Sequence, residues 1–322
     1  MRTSRLGATG LAVSAVGLGT MTWGRDTDEH DAAEHLDAFL EAGGTVIDTA
    51  ASYADGVAEE ILGDQLARRH VRDDVVVVSK AGTRVRGGTG MVDASRAALL
   101  TELDASLARL GTDRVDLWLV QRPDPETTLE ETLGALDHAV RTGRARYVGL
   151  ANHPAWTTAH AATLARQLLP APHLAAVEVE HSLLQRGIER ELLPAAQALG
   201  IGVIAWSSLG RGVLAGRYRS SIPPSSRAAS AHLRGFVEPY LDTRSASIAE
   251  AVATAADGLG VSAAEVALAW SVRSGVDVSL VGASSIAQLR QTLAGAALDL
   301  PDSIQRALDE ISGIEVGYPE RL

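Results

Sequence analysis

The sequence predicts an α/β chain folded as a (β/α)8 barrel, on three observations. Eight short runs rich in Val, Ile and Leu recur at 13–18, 45–49, 75–79, 115–120, 145–150, 174–179, 202–206 and 278–281. They are near-continuous rather than alternating in polarity, as strands buried on both faces of a parallel sheet require. Between them lie stretches with helical spacing at 28–42, 58–69, 93–110, 129–141 and 189–199. Gly43-Gly44, Gly111, Gly143 and Gly200 stand where helix C-terminal glycines belong. The third observation is the regularity of this strand–helix alternation, one short repeat after another. A doubly wound sheet is the rival, and it usually shows fewer strands at this length.

Two segments depart from the repeat. Ahead of the first barrel strand, Leu6-Gly7-Ala8-Thr9-Gly10-Leu11 reads as a small hairpin that plugs the bottom of the barrel. After the seventh strand, the chain from 209 to 277 is far longer than an ordinary βα link. Its first part, 210–247, reads as an ordered loop inserted over the open face, since long loops in compact domains carry function or are disordered. No linker or low-complexity tail interrupts residues 1–322, so the expectation is a single barrel domain.

Composition narrows the function. At 46% hydrophobic and 21% charged, the 322 residues suit a globular core, and with 4% aromatics that core must be built from Ala, Val and Leu. No run of 18 apolar residues and no N-terminal apolar segment of signal-peptide length occurs, which points to a cytoplasmic protein without a membrane span. The absence of cysteine removes disulfides, thiol catalysis and iron–sulfur ligation. With 40 acidic and 29 basic residues the net charge is −11, which argues against a nucleic-acid partner. A local anion pocket stays open, as does a homo-oligomer. The nine histidines are scattered, and His30 and His35 lack the spacing of a metalloprotease helix, so no metal site is expected. Gly17-Leu18-Gly19-Thr20-Met21-Thr22 begins like a dinucleotide fingerprint but lacks the third glycine.

Catalytic groups of a barrel sit at the C-terminal ends of its strands. Here the second strand ends in Asp48, with Tyr53 in the following loop; the third leads into Lys80; the fourth is followed by Gln121. Of the 29 basic residues, Lys80 is the one lysine. Strand ends are often polar, which accounts for Asp48 and Gln121 as caps; it does not account for the sole lysine at the same rim. A lysine beside a phenol stabilises the phenolate, so the expectation is a Tyr53 pKa lowered by Lys80, with Asp48 holding the ammonium in place. Such a group suits protonation of an oxygen as hydride arrives at a carbonyl carbon.

On these residues the chain resembles the aldo-keto reductases across nearly its whole length. The resemblance rests on 6–14 with Gly17-Leu18-Gly19-Thr20, Asp48-Thr49-Ala50-x-x-Tyr53, Ser79-Lys80, the stretch 116–125, Trp206-Ser207-Ser208-Leu209-Gly210-Arg211-Gly212 and Val281-Gly282-Ala283-Ser284-Ser285. The branch with the potassium-channel β subunits is most similar, through Arg122-Pro123-Asp124-Pro125 and Ile222-Pro223-Pro224-x-Ser226-Arg227-Ala228. The resemblance implies an NADP(H)-dependent carbonyl reductase on a TIM barrel, with Tyr53 as general acid tuned by Lys80 and Asp48. Gln121 stands where the family has His and the channel branch Asn; an amide can hydrogen-bond a carbonyl but cannot titrate.

The cofactor residues follow by the same resemblance. Trp206 matches the aromatic that stacks on nicotinamide, although core packing explains it equally well. Asn152 matches a carboxamide-binding position, and Glu178 occupies one usually held by Gln. Ser207, Leu209, Gly210 and Gly212 match the pyrophosphate loop, with Thr20, Met21 and Gly282 beside the cofactor. Arg217 and Arg227 match cationic positions that reach over it. Ser284 and Gln288 match the adenosine phosphate site, with Gln291 and Thr292 in the usual Glu and Asn positions. The resemblance also leaves open a low-turnover regulatory subunit that senses nicotinamide redox state, and a reductase of activated carbon–carbon double bonds.

Overall fold

The computed structural model describes residues 1–86, 89–168, 174–218, 228–230, 232–315, 317 and 318. Eight parallel strands close into a barrel in simple sequence order: β3 (Val16–Gly19), β4 (Val46–Asp48), β5 (Val76–Ala81), β8 (Val115–Val120), β9 (Ala145–Ala151), β10 (Ala176–Glu180), β11 (Gly202–Trp206) and β12 (Val278–Val281). β12 pairs back onto β3, with Leu280 opposite Gly17. The expected (β/α)8 architecture is therefore the observed one. Two antiparallel hairpins lie outside it, β1 (Thr3–Arg5) with β2 (Ala12–Ser14), and β6 (Thr83–Arg86) with β7 (Thr89–Val92). Around the barrel run α1 (Glu29–Glu41), α2 (Val57–Arg69), α3 (Arg96–Leu110), α4 (Leu129–Arg141), α5 (Ala155–Leu168), α6 (Leu192–Leu199), α8 (Thr243–Leu259), α9 (Ala263–Ser271), α10 (Ile286–Ala294) and α11 (Asp302–Ser312), with a short α7 (Arg234–Val237) before α8.

Helix starts follow capping chemistry. Asp28, Ser95, Thr128, Asp242, Ser262 and Ser285 each accept an orphan backbone N–H of the first turn, and Ser262 with Glu265 forms a reciprocal capping box. Ser95 is the reason α3 begins at Arg96 rather than at 93. α6 begins at Leu192 rather than at 189; Pro194 then falls in its first turn, where a missing N–H costs nothing.

Three expectations need correction. The run 13–18 is not one strand: Ser14 ends β2 and Val16 starts β3. The Ser14 hydroxyl donates to Val16 O and accepts from Thr45 N, while Thr45 Oγ1 accepts from Ser14 N, and these bonds turn the chain at Ala15. The segment 6–11 is the connection of the plug hairpin, not its strands. Leu6 and Val13 nevertheless belong to the core cluster that fills the barrel, and Gly7, at φ +52, lies against the backbone of 200–202 with no space for a Cβ. Finally, the expected loop 210–247 contains the short helix α7 and the start of α8 among its described residues.

The core has layers. Val46, Val76, Val78, Leu117, Leu119, Ala176, Ile204, Val278 and Leu280 fill the barrel interior. Ile47, Val77, Trp118, Val148, Val177 and Val203, one residue out of step, pack outward against the helices. Among the described residues, no single helix is long and apolar enough to cross a membrane.

Candidate active site

The two-residue period of a strand decides which side chains reach the barrel mouth. Stepping by two from Val46 gives Asp48; from Val76 and Val78, Lys80; from Leu117 and Leu119, Gln121; from Ala176, Glu178 and Glu180; from Ile204, Trp206. Each apolar inward stack thus ends in a polar or aromatic group at the C-terminal face. Tyr53 arrives from the loop after β4, which is pinned to β5 where Thr49 N and Ala51 N donate to Val78 O and Lys80 O at 2.9 and 3.1 Å. Beyond Tyr53 the chain turns through left-handed Ala54 (φ 48), Asp55 (φ 53) and Gly56 (φ 96) into α2. Asp48, Tyr53, Lys80, Gln121, Asn152, Glu178 and Trp206 line one cavity of ≈490 Å³. That volume falls within the roughly 300–1,000 Å³ of small-molecule sites.

Three ionisable groups share the cavity floor. Lys80 Nζ hydrogen-bonds Asp48 Oδ1 and lies 3.1 Å from Glu178 Oε1 and 3.2 Å from Oε2. All three residues are at most 3% exposed. Burial works against the Lys80 charge, but Asp48 and Glu178 more than offset it and raise the lysine well above its ordinary value. Burial, reinforced by Asp48, pushes the Glu178 carboxyl up to about 8 against the pull of Lys80. Tyr53 corrects the expectation of a depressed phenol. Lys80 Nζ does lie 5.3 Å from its ring centroid and lowers its pKa. Desolvation outweighs that attraction, Asp48 and Glu178 add to it, and the phenol is raised well above its ordinary value. In this state the Tyr53 phenol stays neutral across the physiological range.

A second chain of contacts crosses the rim. Ser52 Oγ donates to Gln121 Oε1 at 3.0 Å; Gln121 O accepts from Asn152 Nδ2 at 3.0 Å; Asn152 Oδ1 accepts from Trp206 Nε1 at 3.0 Å. Asn152 makes both contacts from a left-handed backbone, φ 60. Trp206 is half-buried on the interior core, and Phe236 of α7 stacks on it at 6.3 Å and 21°. The Arg211 guanidinium lies 4.2 Å from the Phe236 ring centroid, donates to Phe236 O, and pairs with Glu180 through contacts of 2.7 and 2.6 Å. Ser52, Glu180, Arg211 and Phe236 were not singled out from the sequence. The inward parity of 176, 178 and 180 would have found Glu180; no local pattern marks Ser52 or Phe236.

The rest of the cavity wall contains most of the remaining sequence candidates. Met21, Ser207, Leu209, Gly212, Arg217, Gly282, Ser284, Gln288, Gln291 and Thr292 all line it. Thr20 does not: it is fully buried, and its N–H donates to Asp48 O at 2.9 Å. Gly210 also lies off the wall, buried against Leu184 and Leu214. Arg227 falls outside the described residues. Ser207, Gly210, Arg211 and Gly212 all have positive φ (58, 55, 57 and 98). Gly210 N and Gly212 N donate to Ser207 O and Leu209 O at 2.7 and 3.0 Å, which folds the loop into tight turns. A Cβ on Gly212 would meet nothing nearer than Tyr218 Cε2 at 3.9 Å, so the space over this loop is open. Ser284 Oγ donates to Gln288 Oε1 at 2.9 Å, and both precede or open α10, whose N-terminus faces this end of the wall. An aromatic, an amide, a glycine-containing turn and a cation along one cavity fit a nicotinamide dinucleotide, with its flat ring and its phosphates.

The aldo/keto reductase family model matches residues 15–312. The chain is also similar to the uncharacterized oxidoreductase YrpG of Bacillus subtilis (strain 168), at 33% identity over 323 residues that cover 97% of this chain and 96% of that protein. Matches of that extent, on a closed eight-stranded barrel with its cavity at the strand C-termini, mean that the chain belongs to the aldo/keto reductase family.

Proposed function

We propose that this protein is an NADP(H)-dependent oxidoreductase that reduces the carbonyl of an aldehyde or ketone. The observation that carries the reading is the convergence of Tyr53, Lys80 and Gln121 on one cavity that is also lined by a left-handed backbone loop and Arg217. When bound, a nicotinamide would supply hydride for the carbonyl carbon. Gln121 donates a hydrogen bond from Nε2 to the carbonyl oxygen, its Oε1 being held by Ser52. Tyr53, kept protonated by burial, gives its proton to that oxygen as charge develops there. Lys80 then stabilises the phenolate that remains, and Asp48 keeps the ammonium oriented. Asn152 and Trp206, locked to one another, present an amide and an aromatic face to the ring. Arg217 and Arg227 favour the 2′-phosphate of NADP(H) over its absence in NAD(H).

We also read the chain as nearest to the branch that includes the potassium-channel β subunits, on the motif 122–125. One observation favours a second reading, a redox-sensing subunit with little turnover: a neutral amide and a lysine shared by two carboxylates make a weaker acid than an imidazole and an unshared ammonium. Fluorescence titration with NADPH followed by a carbonyl panel separates the two. Binding with turnover supports the reductase, binding without turnover on any carbonyl supports the subunit, and no binding contradicts both.

A further inference from the structure

The cavity floor holds more negative than positive groups. Lys80, the sole ammonium of a lysine in the chain, is used at once by Asp48 and by both oxygens of Glu178. The strands beside Glu178 bring no further charge: its register partners are Ala151 on β9 and Ile204 on β11. Among the described residues, the titratable groups that face it are Lys80, Asp48 and Tyr53. Arg211 and Arg217 also line the cavity; Arg211 is already neutralised by Glu180, and Arg122 is exposed to solvent. Two carboxylates on one ammonium leave either one uncompensated negative charge or one trapped proton. Both states favour a ligand that brings positive charge to the floor over its neutral counterpart.

We propose that Glu178 gives this site a preference for the oxidised nicotinamide, whose ring is cationic, over the reduced and neutral ring. The inference rests on the nicotinamide reading above. It has two consequences. Tighter binding of the oxidised form lowers the reduction potential of the bound couple, which makes the bound reduced form the stronger reductant. Arrival of the cationic ring also ionises Glu178, so the oxidised cofactor binds with release of a proton that the reduced cofactor does not release. The carboxyl is poised for this, because burial and Asp48 hold it protonated up to about pH 8.

Calorimetric titration of the full chain with NADP+ and with NADPH, at neutral pH in two buffers of different ionisation enthalpy, counts the protons. The difference between the two ligands cancels any proton moved at the phosphates they share. The expected result is more proton release with NADP+ than with NADPH in the wild type, and equal counts in Glu178→Gln. The ratio of the two dissociation constants, measured above pH 8, should move toward NADPH in the variant by on the order of tenfold. Equal proton counts in the wild type overturn the ionisation of Glu178 by the ring, and dissociation constants that do not favour NADP+ overturn the preference itself, as does an unchanged ratio in a folded Glu178→Gln. Should the variant fail to fold, the wild-type proton count and the wild-type ratio of dissociation constants decide together. Failure of both dinucleotides to bind contradicts the nicotinamide reading itself, a result distinct from binding without a redox preference.

Discussion

Ser52 Oγ donates to Gln121 Oε1 at 3.0 Å, across 69 residues of sequence, and so leaves the Gln121 Nε2 hydrogens for the cavity. The contact matters because Gln121 has both a donor and an acceptor end, and only the donor end helps a developing alkoxide.

Ser52→Ala should therefore let the amide rotate. The expected loss is about tenfold in kcat/KM for carbonyl reduction, one neutral hydrogen bond's worth of about 0.5–1.5 kcal/mol. NADPH affinity should stay within twofold or so, and Ser52→Thr should restore activity, since its hydroxyl reaches the same oxygen. Steady-state kinetics on the three proteins checks this; a fall in NADPH affinity with unchanged carbonyl kinetics would place Ser52 on the wrong half of the site.

Arg217 lines the cavity of a protein of net charge −11, and the proposed reading sets it beside the 2′-phosphate. A charge-assisted contact to the 2′-phosphate contributes roughly 1.5–3 kcal/mol, so Arg217→Ala should weaken NADPH at least tenfold or so and NADH hardly at all. Parallel titrations read the ratio directly. Equal weakening of both ligands would move Arg217 away from the 2′-phosphate.

Glu178 makes stability depend on pH. The native state raises its carboxyl from 4.5 to about 8, so the folded protein keeps a proton that the unfolded chain has already lost. Stability from this group is complete below 4.5 and declines as pH rises toward and through about 8. Glu178→Gln has no such proton. The wild-type Tm should fall between these two pH values relative to the variant, and a constant difference across that window would mean that Glu178 does not titrate there.

Much of this fold was legible because its strands are buried on both faces and its helices are capped by local side chains. The eight apolar runs coincide with the eight barrel strands to within a few residues, and 129–141 coincides with α4. The break at Ala15 was hidden because both sides of it are apolar; a pair of bonds to Thr45 makes it, and no local pattern shows that partner. Asp48, Lys80 and Gln121 stood out as polar ends of apolar runs. The pairing of Lys80 with Glu178 spans 98 residues and exists only once the barrel closes. The direction of the Tyr53 shift is illegible for the same reason: the sequence shows the charge of Lys80, whereas the burial of the phenol exists only in the folded barrel.

Replacing Tyr53 by Phe removes the hydroxyl that the whole account makes the proton donor, and keeps the ring beside Lys80. Single-turnover reduction of a carbonyl by prebound NADPH, compared between wild type and Tyr53→Phe, is the decisive measurement. The account expects a rate lower by about two to four decades with NADPH affinity nearly unchanged. Undiminished reduction by a folded, NADPH-saturated Tyr53→Phe would contradict it.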